Sequence, residues 1–68
     1  MTVAEARVVL VRVADGIIDR AGADLDRRLR ACGASTRDFA ALSAALFVAR
    51  MECLLLIDRL LADAQRVH

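Results

Sequence analysis

Residues 35–67 read STRDFAALSAALFVARMECLLLIDRLLADAQRV, without a single glycine or proline. Alanine and leucine, both strong helix formers, dominate the stretch, which predicts one unbroken helix over about 36–66. Apolar residues recur at heptad spacing along Phe39, Leu42, Leu46, Ala49, Cys53, Leu56 and Leu60, with Val67 beyond them. A second stripe of Phe47, Met51, Leu54 and Leu61 runs beside that seam, and Val48, Leu55 and Ile57 widen the apolar arc. A helix packed on one neighbour needs an apolar face only somewhat wider than about 100°. This helix exceeds that, so it requires cover from two sides.

Toward the N-terminus, residues 3–31 carry another helical pattern. Leu10, Ala14, Ile17, Ala21, Leu25 and Leu29 recur at helical intervals, flanked by Val11 and Ile18, and Glu5, Arg12, Asp19, Asp26 and Arg30 lie on the opposite side. Oppositely charged pairs four residues apart, Arg20–Asp24, Asp24–Arg28 and Asp26–Arg30, support an exposed helix. Gly16 and Gly22 each cost about 1 kcal/mol against alanine in a helix interior. They permit a break near Gly22, or they mark the close approach of another segment. Gly33 stands where a helix ends in the left-handed conformation, and Ser35 lies three residues before Asp38, an acidic form of the capping box. The connection spans 32–35, too short for anything but antiparallel neighbours. The chain thus reads as one domain, residues 1–68, an all-α antiparallel hairpin of two long helices that associates as a homodimeric four-helix bundle.

Composition points the same way. Hydrophobic residues make up 59% of the chain and aromatics only 3%, so the apolar load is aliphatic and suited to close helix packing. A chain of 68 residues rarely builds a self-sufficient core, and disulfides, a metal or a partner usually make up the difference. Ten basic and nine acidic residues leave a net charge of +1, with no global field to draw the chain to nucleic acid or an anionic membrane. All ten bases are arginine, which fits a GC-rich coding sequence. Glu5, Arg7 and Arg12 interrupt what would be the apolar part of a signal peptide. The longest uncharged run, Phe39–Ala49, is eleven residues, short of the about 20 that a membrane span needs, and Arg50 and Glu52 end it. The expected setting is the cytoplasm, without a membrane.

The reactive side chains are few. A hairpin puts Cys32 at its tip and Cys53 about 27 Å along the second helix at 1.5 Å per residue, beyond the about 7 Å between Cα atoms that a disulfide allows. Cys53, between Ala49 and Leu56, reads as a small buried hydrophobe. Two cysteines and the terminal His68 lack the spacing of a zinc site, and no cofactor or catalytic constellation is present. Arg50, Glu52 and Asp58 have no opposite charge three or four residues away, whereas Asp63 can reach Arg59 or Arg66. Arg50 and Glu52 either lie on a narrow wet strip or fix register between chains. Arg27, Arg28, Arg30 and Arg37 gather around the turn as the one candidate nucleic-acid contact. Asp24, Asp26 and Asp38 are interleaved with them and cancel much of the field that phosphate binding requires.

One stretch admits another reading. Arg7–Val13, RVVLVRV, is β-branched enough for a strand, and strand, helix, a Gly-Ala-Ser-Thr turn and a second helix follow in order. Over Arg7 to about Arg50 this resembles a ribbon–helix–helix DNA-binding dimer, which implies a strand with a polar face for the major groove. The two faces read Arg7, Val9, Val11, Val13 and Val8, Leu10, Arg12, so neither is polar throughout. In length and layout the hairpin is similar to small plasmid-encoded RNA-binding hairpin dimers, but no motif accompanies that likeness and no function transfers with it. The leading expectation is a non-enzymatic adaptor or regulator that docks on itself or on a larger protein's helices. Its interface draws on Phe39, Leu42, Leu46, Phe47, Arg50, Glu52, Cys53, Leu54, Leu56, Leu60 and Leu61. A small nucleic-acid-binding regulator is the alternative.

Overall fold

The structure is a computed structural model that describes residues 1–67, apart from the side chain of Val67. The reading of Val67 as a seam residue, and the reading of His68 as unsuited by spacing to a zinc site, lie outside the described residues. Two helices, α1 (Val3–Ala31) and α2 (Thr36–Val67), make up the chain, and no strand occurs among the described residues. Arg7 to Val13 lie within α1, which removes the ribbon of the ribbon–helix–helix reading. Their β-branched side chains cost little in a helix whose neighbours are Ala, Leu and Arg. The helices run antiparallel as a rod of 52 × 17 × 13 Å.

Both helix starts are capped by side chains. The Thr2 hydroxyl accepts from the Glu5 backbone N–H at 3.1 Å and lies 3.1 Å from Oε1 of Glu5, a cap the Thr-x-x-Glu spacing encodes. At α2, the Ser35 N–H donates to Oδ2 of Asp38 at 2.9 Å, while the Asp38 N–H donates to the Ser35 hydroxyl at 3.4 Å. Between the helices, Gly33 takes a φ of +70°. Ala34 N–H donates to the Leu29 carbonyl at 3.0 Å and Gly33 N–H to that of Arg30 at 3.2 Å, the Schellman pattern that satisfies the last carbonyls of α1. Across this turn the Arg30 guanidinium lies over the Phe39 ring, 5.1 Å from its centre.

α1 is continuous through Gly22. A Cβ at that position would come within 2.8 Å of Cδ1 of Leu46, so the glycine leaves room for the Leu46 side chain against α1. Among the described residues two ion pairs tie the helices together: Arg7 Nε donates to Asp58 at 2.7 Å, and Arg50 Nη2 donates to Asp19. The seam between the helices runs through Val11, Ala14, Ile18, Gly22 and Leu29 on α1. Phe39, Leu42, Leu46, Cys53, Ile57 and Leu61 line it on α2.

This seam differs from the one read off heptads. Through Cys53 it follows the expected row, but it then passes to Ile57 and Leu61, leaving Leu56 and Leu60 exposed at 53% and 63%. A straight helix drifts about 20° per heptad, so after three heptads the neighbouring row faces the partner. On α1 the flanking pair Val11 and Ile18 faces α2, and Leu10 and Ile17 lie open.

Candidate association surface

Among the described residues, only Ile18 and Ile57 are buried apolar side chains, each 8% exposed. Two helices in one layer have no third element to close over their seam. Leu10, Val13 and Ile17 of α1 stand beside Cys53 and Leu56 of α2 around a shallow apolar groove, with Ala14 and Ile57 in its floor. Leu60 extends the patch one turn on, by helical spacing from Leu56. No charged side chain interrupts the heptad rows between Leu10 and Ala21 or between Leu42 and Leu60 on this broad face. The opposite edge of α1 instead carries Arg12, Asp15, Asp19 and Asp26. The groove face is therefore apolar on both helices, whereas the far edge of α1 is polar.

The outer side of α2 is apolar as well. Phe47, Val48, Met51 and Leu55 are exposed by 44–66%, with Glu52 and Arg59 among them. By length and hydropathy α2 is apolar enough to cross a membrane: Thr36–Arg66 contains a window of mean hydropathy 2.0 that keeps both Arg50 and Glu52. Those two charges do not end that possibility on composition alone, contrary to the run-length argument.

Of the residues read as an interface, Phe39, Leu42, Leu46, Arg50, Cys53, Leu54 and Leu61 are half-buried, most of them spent on the contact between α1 and α2. Phe47, Glu52, Leu56 and Leu60 are exposed. Leu10, Val13 and Ile17 join them on the surface. The heptad reading turns Leu10 and Ile17 inward, because two adjacent rows of α1 are both apolar. Arg50 is only partly exposed, and its Nε has no hydrogen-bond partner among the described residues. Its opposite charge comes from Asp19 of the same chain. Glu52 has no ion pair among the described residues.

The turn-end arginines are mostly engaged. Arg27 and Arg28 both reach Asp24, at 2.6 and 2.9 Å, and Arg30 reaches Asp26 at 2.9 Å. Arg37 forms no ion pair among the described residues. The hydrogen bond from Arg27, with Arg28 adding to it, lowers the Asp24 pKa, and Asp26 raises that of Arg30. These pairs offset much, though not all, of the positive charge at the end of the rod that a phosphate would approach. At the open end, Asp63 pairs with Arg66 at 3.6 Å. Cys32 is exposed and Cys53 half-buried, both as free thiols. No three His, Cys, Asp or Glu side chains converge as a metal site among the described residues.

No protein-family model, curated protein or solved structure matches the chain.

Proposed function

We propose that this protein is a small non-enzymatic association module, in which two copies close their apolar broad faces into a four-helix bundle. One observation carries the reading. Ile18 and Ile57 are the whole buried core among the described residues, while Leu10, Val13, Ile17, Leu56 and Leu60 stand 40–63% exposed on one face. Covering these five half-open side chains contributes roughly 1 kcal/mol each before association costs. The broad face, 52 by 17 Å, is close in area to the roughly 800 Å² per partner of a standard stable interface. A net charge of +1 opposes self-association very little.

Such a dimer leaves the outer strip of Phe47, Val48, Met51 and Leu55 open, which favours an adaptor or regulator that receives the helices of a larger protein. The proposed setting is the cytoplasm. Inserting α2 into lipid would strip Asp19 from Arg50 or drag the charged α1 along. A mid-span charge costs about 2.5–3.5 kcal/mol on insertion scales. The engaged turn-end arginines weigh against a nucleic-acid partner.

Sedimentation equilibrium of the full chain at micromolar concentration tests the reading. A dimeric mass, with a thermal midpoint that rises with protein concentration, is the expected result. A stably folded monomer overturns it.

A further inference from the structure

The broad face can meet its own copy in two ways that obey a twofold axis and keep full overlap. Either the turns lie at the same end and α1 of each copy covers α2 of the other, or the turns lie at opposite ends and like helices cover like. We infer that the turns lie together, an arrangement that rests on the self-association proposed above.

The argument comes from the charges that bound the face. Gly22 against Leu46, Asp19 with Arg50 and Arg30 over Phe39 set the level of one helix against the other, with residue numbers that sum to about 68. On α1 the heptad rows of the face, Leu10–Ile17 and Ala14–Ala21, continue toward the turn into Asp24 and Arg28. On α2 the same face is bounded along one side by the row Asp38, Ala45, Glu52 and Arg59, and at the open end by Asp63, seven residues on from Leu56.

With the turns together, Arg28 of one copy comes level with residue 40 of the other, within a helical turn of Asp38. The groups suit each other. Arg28 uses Nε on Asp24 and is 73% exposed, and Asp38 spends only Oδ2 on its cap. Symmetry makes this contact twice. Asp24 then lies over the alanines at 44 and 45, already held by Arg27 and Arg28. Ile17 comes level with residue 51, between the small Ala49 and Cys53 of the second copy.

With the turns apart, full overlap brings Asp38 of one copy level with Asp63 of the other, again twice; the exposed pair of Asp63 with Arg66 at 3.6 Å weakens this repulsion but gives Asp38 no partner on the face. Like charges set against each other select against that pairing. Sliding the copies to separate them places Asp63 over the uncharged stretch around Leu42 and Ala45. Arg28 would then face the N-terminal turn of α1, whose acid, Glu5, lies on the polar row with Arg12 and Asp19 and turned from this face.

Cys32, exposed at the turn, reports the difference directly. Spin labels on Cys32 in a full-length Cys53→Ala chain, measured by pulsed dipolar spectroscopy, should give one separation well below the 52 Å length of the rod. The unaltered chain treated with a short bismaleimide should yield a Cys32–Cys32 cross-linked dimer on peptide mapping, which keeps the test open if the variant folds poorly. A dimer whose labels sit near 50 Å apart, or that cross-links at Cys53 but never at Cys32, overturns this arrangement and leaves self-association standing. A monomer by sedimentation overturns both.

Discussion

Gly16 and Gly22 lie six residues apart in α1 and should answer oppositely to a methyl group. A Cβ at Gly16 meets nothing within 4 Å, whereas one at Gly22 runs into Leu46. Gly16→Ala should stabilise the fold by about 0.5–1 kcal/mol through helix propensity alone. Gly22→Ala should destabilise it by about 1 kcal/mol, because Leu46 must leave a packed position. Urea titration of both variants measures this, and equal gains would mean that α1 and α2 are less closely set. At the same scale, the hydrogen bond from Arg7 lowers the Asp58 pKa, and Asp58 raises that of Arg7. A carboxyl with a depressed folded pKa contributes stability above the usual carboxylate range, and that contribution is lost as pH falls through the folded value. Wild-type stability should therefore fall below about pH 4, and fall less steeply in Asp58→Asn. Salt should shrink the difference, because both partners are exposed.

At the scale of the helix, Leu56 and Ile57 are neighbours with different work. Ile57 faces α1 at 8% exposure, so Ile57→Ala should cost about 2–5 kcal/mol at every protein concentration. Leu56→Ala leaves the hairpin's own seam intact, and its cost should appear only as weaker association, read from the concentration dependence of the melting curve. A concentration-independent loss at Leu56 would place it in the seam. Arg50 belongs to the same helix and carries a buried Nε with no acceptor. An exposed ion pair is worth less than about 1 kcal/mol, while an orphaned donor costs about 1–3 kcal/mol. Arg50→Met should thus leave the hairpin as stable or more so. A clear drop in thermal midpoint would show that the Asp19 contact holds the helices in register.

For the whole molecule, the deciding quantity is how little a two-helix layer can cover. Ile17→Asp puts a carboxylate at the middle of the apolar broad face, where it remains in water in a single hairpin and loses that water in a bundle. This variant should shift the mass from dimer to monomer and lower helicity at micromolar concentration. Arg12→Asp, on the charged edge, should do neither. If Ile17→Asp stays dimeric, the chains meet through another surface, and the outer strip of α2 becomes the first candidate.

Local chemistry in the sequence already determined that the chain would be two helices joined by a tight turn. Capping residues stand at their starts, Gly33 supplies the left-handed turn, and no strong breaker interrupts 36–66. Local propensity and hydrogen bonding act within a few residues, so they are legible in order along the chain. The Thr2–Glu5 cap is equally legible, since its spacing is the same signal that marks Ser35 and Asp38. Tertiary structure alone decided which of two adjacent apolar rows faces inward: Ile18 rather than Ile17, Ile57 rather than Leu56. Both rows are apolar, so periodicity cannot choose between them, and the fit of Leu46 against Gly22 together with the drift of a straight helix does. The partners of Arg50 and Asp58 were likewise hidden, because Asp19 and Arg7 lie 31 and 51 residues away and meet them only once the helices pack.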